Sequence, residues 1–236
     1  MRASSLIESG SVIELIGYEL AADADREAFS TAWRAAVDQA PRPTGLLYRE
    51  LALQRSDWNA TIRAEIMSPN PFPFLDYAVF RSAADQAAYH ASGGGVPPAL
   101  PGSPQVTAGV YTVGAQFVRL EAPGEPGMLL YNLFKIQGDE KVEEAFASRW
   151  PERAKHQAER DGFYSAILHR KARPELPLTA FNRAEWQDVE HYAKTLADFE
   201  RNFPRAERAA VGQAPGAGPP PARSLLGLFE ILHTLS

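Results

Sequence analysis

A chain of 236 residues with 45% hydrophobic and 22% charged residues has the size and composition of a folded protein of one large domain or two small ones, not a disordered or collagen-like one. Its net charge of -5, with 24 Lys plus Arg against 29 Asp plus Glu and no long basic run, argues against a nucleic-acid partner. The lack of cysteine excludes disulfides, thiolate nucleophiles, zinc–thiolate sites and iron–sulfur clusters, leaving only His and carboxylates to hold a metal.

The first ten residues lack the basic start and apolar run of a signal peptide, and apolar stretches such as 128–134 are too short to span a bilayer, so a cytoplasmic protein with no membrane contact is expected. Residues 12–20 predict a strand. Phe29 and Trp33, four apart, mark the buried face of a following helix, and Gly45-Leu-Leu-Tyr48 opens a second strand. Within the stretch 55–74, Asn70-Pro-Phe-Pro73 reads as an irregular loop. Residues 74–80 predict a third strand, Ser82 caps a second helix, and a Pro/Gly-rich segment (93–104) leads to a last strand at 108–113. After a linker at 121–127 the order begins again. Strand 128–136, a helix carrying Phe146 and Trp150, a strand from Gly162, a strand over 178–186, a helix capped by Asp188, the Pro/Gly-rich segment 204–221 and strand 226–231 follow.

The two series align at offsets of 116 for the first strands, 117 for the Phe-x-x-x-Trp pairs and second strands, and 118 for the last strands. Cap on cap, Ser82 and Asp188 give 106, which assigns about eleven extra residues to the first half in the 55–74 region. Each half is β-α-β-β-α-β, a ferredoxin-like unit. The expected class is α+β: repeats at 11–116 and 127–236 form an intrachain pseudo-dimer, two facing sheets making a barrel.

Matched positions separate what both halves keep from what one keeps. Trp33 and Trp150 occur in both, which favours helix-to-sheet packing. Asn132, His169, Asn182 and Trp186 stand opposite Ile16, Ala52, Asp76 and Phe80. Asn132 lies mid-strand, where an amide is a poor strand former, and reads either as an edge residue or as a pocket amide. His169 reads either as a surface or satisfied residue or as a base with a pKa near 6.5. Asn182 and Trp186, four apart in a strand, share a face, as a pocket pair or as a packed Trp with an incidental neighbour. Pro151 should cost its helix a hydrogen bond and kink it.

The motifs Tyr-Asn-Leu-Phe-Lys-Ile, Phe-x-x-x-Trp, Gly-Phe-Tyr-Ser-x-x-Leu-His-Arg and Phe-Asn-x-Ala-Glu-Trp of the second half resemble the antibiotic biosynthesis monooxygenase group of the dimeric α+β barrel superfamily. The Asn182/Trp186 pair is similar to that of cofactor-free anthrone oxygenases, in which Asn132 also has a counterpart; the tandem arrangement is more like the ring-opening and ring-contracting oxygenases of angucycline biosynthesis. The resemblance implies an enzyme that oxidises a polycyclic aromatic polyketide with O2. It implies no metal and no tightly bound cofactor, with reduced flavin (FADH2 or FMNH2) allowed as a diffusible co-substrate, and a flavin reductase and a homodimer allowed as partners. Asn182, Trp186, His169 and Asn132 are then the expected catalytic residues, and Trp150, Phe181 and Tyr131 the expected substrate contacts, with a degenerate site in the first half. Two alternatives stand beside this reading: a heme-binding barrel with His156 or His191 as axial ligand, and a barrel that only binds a small hydrophobic molecule. Neither G-x-G-x-x-G nor a P-loop occurs, which disfavours a nucleotide-dependent dehydrogenase.

Overall fold

A computed structural model describes residues 2–62, 68–97, 99–119, 121, 124–202 and 222–235. A short 3-10 turn (Ala3–Ser5) precedes β1 (Val12–Glu19), α1 (Arg26–Gln39) and β2 (Leu46–Gln54). The 55–74 region, where the extra residues were placed, holds a short helix α2 (Ser56–Thr61) and a two-residue strand β3 (Ser68–Pro69) that pairs with β9, while Asn70–Pro73 carries no regular element, as expected. Then come β4 (Phe74–Phe80), α3 (Ala83–Ala91), β5 (Gln105–Val118), β6 (Met128–Ile136), α4 (Glu140–Ala158), β7 (Phe163–Lys171), β8 (Ala180–Trp186), α5 (Val189–Asn202) and β9 (Ala222–Leu235). No helix among the described residues is long and apolar enough to cross a membrane.

The strands run in the order β2-β4-β1-β5-β7-β8-β6-β9, and β9 pairs with β2, so eight antiparallel strands close into a barrel within one chain. Closure depends on the two 14-residue strands. β5 pairs with β1 through residues 105–112 and with β7 through 111–118, while β9 pairs with β6 through 222–229 and with β2 through 229–235. Each therefore leaves one four-stranded sheet and enters the other, which is why both outrun the six-residue segments legible in the sequence. The ladders β1/β4 and β6/β8 share a register: Val12 faces Phe80 and Ile16 faces Asp76, as Met128 faces Trp186 and Asn132 faces Asn182.

Side chains alternate across the barrel wall. Leu15, Leu75, Tyr77, Tyr111, Leu129, Tyr131, Ile167, Phe181 and Phe229 fill the interior, and the Phe72 ring packs on Gly17, where a Cβ would come within 2.7 Å of it. The outward faces are covered by helices: Phe29, Trp33 and Val37 of α1 pack on the first sheet, and α4 and α5 on the second. Asp25 and Asp139 cap α1 and α4, and Ser82 and Asp188 accept from Asp85 N and His191 N as expected. Pro151 lies inside α4, which runs from Glu140 to Ala158.

Candidate functional site

The second sheet brings Asn132, Asn182, Trp186 and Trp150 to its helix-covered face. Asn132 and Asn182 stand directly opposite each other in the β6/β8 ladder, which places their Cβ atoms about 5 Å apart. The Asn132 Oδ1 accepts from the hydroxyl of Ser224 on β9, a partner that sequence spacing could not supply across 92 residues. Asn182 is 7% exposed and Trp186 fully buried, yet neither Asn182 Oδ1 nor Trp186 Nε1 has a hydrogen-bond partner among the described residues. An unpaired buried polar atom costs about 1–3 kcal/mol, so two on one strand face call for a ligand or ordered water. The Trp186 ring is held edge-on by Phe163 at 5.3 Å and by Tyr192 at 5.2 Å.

One step up the same face of β8 a cavity of about 450 Å³ opens between the start of α4 and the ends of β7 and β8. Phe146, Ile136 and Ala180 give it an apolar wall; Arg170, Lys171 and Arg173 stand in its lining with Glu140 and Glu143. Lys171 pairs with Glu143 at 2.5 Å and Arg170 with Glu144 at 2.7 Å. Ala180, which lines the cavity, and the unpaired amide of Asn182 are two residues apart on one strand face, about 7 Å. The Arg170-Lys-Ala-Arg173 run after His169 is the sequence signal for these cations, and nothing local in it shows which cavity they line. None of the seven expected site residues lines the cavity itself, and Trp150, 6% exposed and tilted against Phe117 at 6.1 Å, packs α4 on the sheet.

His169, Phe181 and Tyr131 are placed on the other side of the wall, inside the barrel. The expected single constellation is thus split, and His169 is not where it could take a proton from a substrate held by Asn182. Its ring stacks on Phe181 at 4.2 Å, its Nε2 meets the Tyr77 hydroxyl at 3.1 Å, and burial, aided by the nearby Arg183 charge, pushes its pKa down to about 3. Around it lies a buried polar cluster that the sequence reading missed. Arg183 donates to Glu50 at 2.9 Å and Glu185 at 2.6 Å, Tyr131 and Tyr48 donate to Glu50, and the hydroxyls of Ser4 and Ser165 donate to Glu185. Burial alone would raise the Glu185 carboxyl, but Arg183 and the two hydroxyls hold it below the usual range.

The corresponding face of the first sheet is filled. Asp76, the register counterpart of Asn182, accepts from Arg49, from Trp33 Nε1 at 2.9 Å and from Tyr18. Arg49 also donates to the Tyr89 hydroxyl and to Gly95 O. A carboxylate with a buried arginine occupies the space where the second half has unpaired amide and indole atoms.

No protein-family model and no curated protein matches the sequence. Solved structures do. An anthrone oxidase-like protein aligns over 97% of this chain and 94% of its own with a TM-score of 0.64 and 14% identity. A protein named as a monooxygenase from Fusobacterium nucleatum aligns over 97% and 95% with a TM-score of 0.60 and 10% identity. A chlorite dismutase from Candidatus Nitrospira defluvii aligns over 95% and 93% with a TM-score of 0.53 and 12% identity. This chain has their fold. Of the two histidines expected as heme ligands, His156 is exposed on α4 and His191 Nδ1 meets Asp188 at 2.7 Å, and neither lines the cavity described above.

Proposed function

We propose that the protein is an oxygenase that oxidises an electron-rich polycyclic phenol or anthrone with O2, working on the helix-covered face of the second half without a tightly bound cofactor. The observation that carries this is the pair of unpaired buried atoms, Asn182 Oδ1 and Trp186 Nε1, on the strand face that continues into the cavity. The fold shared with an anthrone oxidase-like protein and a protein named as a monooxygenase supports the same reading. The matched registers of β1/β4 and β6/β8 support reading the chain as a duplicated unit, a dimer fused into one chain, whose first site is closed by Arg49 and Asp76.

The apolar wall of Phe146 and Ile136 receives the rings, and a substrate hydroxyl donates to Asn182 Oδ1, opposite which in the ladder stands Asn132, itself held by Ser224. Ionisation of the acidic C–H or O–H gives an electron-rich anion, favoured by the cations at the cavity mouth; with His169 behind the sheet, the proton leaves to solvent or to a lining carboxylate. The anion reduces O2 by one electron, and the resulting pair combines to a peroxide at the same carbon. Loss of water then leaves the quinone, so that one O2 converts an anthrone CH2 to C=O and one H2O. The Asn182 amide and, further along the same buried strand face, the Trp186 N–H are the donors offered to negative charge developing on oxygen.

Oxygen uptake with 1,8-dihydroxyanthrone, with and without reduced flavin, tests this. Asn182→Ala and Trp186→Phe should each lower kcat by about 100-fold, the scale of one lost oxyanion donor, with an unchanged circular-dichroism spectrum. Normal turnover in both variants removes the site, and binding of the anthrone without oxygen uptake makes the protein a carrier rather than an enzyme.

A further inference from the structure

The charges lining the second half's cavity do not all cancel. Lys171 pairs with Glu143 at 2.5 Å and Arg170 with Glu144 at 2.7 Å, so α4 neutralises both. Arg173, in the same lining, makes no ion pair and no side-chain hydrogen bond among the described residues. Glu140 is the remaining carboxylate of the lining; it is exposed in the first turn of α4, where solvent and the helix dipole stabilise it without a partner. The position of Arg173 is fixed through its chain neighbours: Lys171 N donates to Thr179 O at 3.0 Å, and Ala172 N donates to Val110 O at 2.9 Å. It therefore stands two residues beyond the Lys171/Thr179 pair that closes the β7–β8 hairpin. Thr179 also lines the cavity and is 8% exposed. Its Oγ1 accepts from Ile136 N at 3.1 Å, while its O–H donates to nothing among the described residues. A buried hydroxyl donor and a free guanidinium thus lie at the hairpin end of a cavity whose apolar wall includes Phe146, held edge-on by Phe134 at 4.8 Å.

We infer that this cavity takes a monoanionic aromatic carboxylate, its rings on Phe146 and its carboxylate between the Arg173 guanidinium and the Thr179 hydroxyl. That such a carboxylate is what the protein oxidises rests on the oxygenase reading above; that the cavity binds it does not. The flat fork of an arginine matches the two oxygens of a carboxylate, and a hydroxyl donor serves a remaining lone pair. One free cation matches one negative charge. The second charge of a phosphate monoester would meet Glu140 and Glu143 with no free cation left in the described lining to balance it. The volume of about 450 Å³ lies in the range of pockets that enclose small molecules.

The test is calorimetric affinity of the full chain, under argon, for 2-naphthoate, for its uncharged analogue 2-naphthamide, and for acetate. The naphthoate should bind at least tenfold more tightly than either of the others. Arg173→Gln should weaken naphthoate at least tenfold and naphthamide less than twofold; Arg173 is exposed and makes no ion pair among the described residues, so this variant does not endanger the fold. Arg173→Lys, which keeps the charge without the fork, should recover only part of the loss. Thr179→Val should weaken naphthoate severalfold, and Thr179→Ser, which keeps the hydroxyl, should not. Equal affinity for acid and amide, acetate binding as tightly as naphthoate, an unchanged naphthoate affinity in Arg173→Gln, or no binding of naphthoate overturns the inference. Charge-dependent binding of naphthoate without oxygen uptake on 1,8-dihydroxyanthrone removes the oxygenase reading and keeps the carboxylate site; oxygen uptake with charge-independent binding does the reverse.

Discussion

Neighbouring residues in this chain serve two separate environments. Asn182 and Phe181, like Asn132 and Tyr131, are adjacent in a strand and so face opposite sides of the barrel wall. Alternation therefore forbids the single site in which all of them were expected, and that much was legible in the sequence. The side taken by His169 was not, because it depends on how β7 is registered against β5 and β8. Inside the barrel His169 stays neutral down to about pH 3, whereas in the unfolded chain it takes a proton near pH 6.5. The unfolded state thus binds more protons across that window, and stability is lost as the pH falls from 6.5 toward 3, by on the order of 1 kcal/mol per pH unit. Denaturation midpoints of His169→Gln should be flatter than those of the parent between pH 6.5 and 4.5. Below that the Glu185 carboxylate, whose contribution is present above its ordinary pKa and lost beneath it, should still steepen both curves.

Among elements, the helix starts were the most legible because a cap is a local signal: a short polar side chain before an apolar periodic run. Asp188 does what its position predicted, accepting from His191 N at 2.9 Å and also meeting the imidazole Nδ1 at 2.7 Å. Asp188→Ala should lower stability by about 1 kcal/mol in urea denaturation, the usual cost of a lost N-cap, with the m-value unchanged. Strand ends were less legible. The segments 108–113 and 226–231 show where the last strands begin to look apolar, but β5 and β9 continue until they have crossed to the other sheet. The short α2 and β3 were hidden for the same reason: their partner, β9, is more than 150 residues away in sequence. The Pro/Gly-rich segment 204–221 lies outside the described residues.

At the scale of the molecule, one buried ion cluster crosses between the halves. Arg183 of the second half is wholly buried between Glu50 of the first and Glu185, and its guanidinium lies 4.9 Å from the Tyr77 ring of the first. Removing one partner of such a cluster leaves uncompensated charge in the interior, so Arg183→Met should cost about 3–5 kcal/mol. Glu50→Gln should show a loss of similar order; stability in either variant within 1 kcal/mol of the parent, read from chemical denaturation, would show that the cluster does not tie the two sheets.

The sequence by itself determined the order of the elements apart from α2 and β3, the helix caps, and the shared face of Asn182 and Trp186. All of these follow from short-range periodicity and local capping signals. Only the tertiary structure decided that the barrel closes through β5 and β9, that His169, Phe181 and Tyr131 face its interior, that Arg49 and Asp76 pair beneath the helices of the first sheet, and that α2 rests on β9. Each of these depends on which strand edges meet and on which face of a strand is turned toward the helices, and both are fixed by pairing between residues far apart in the chain.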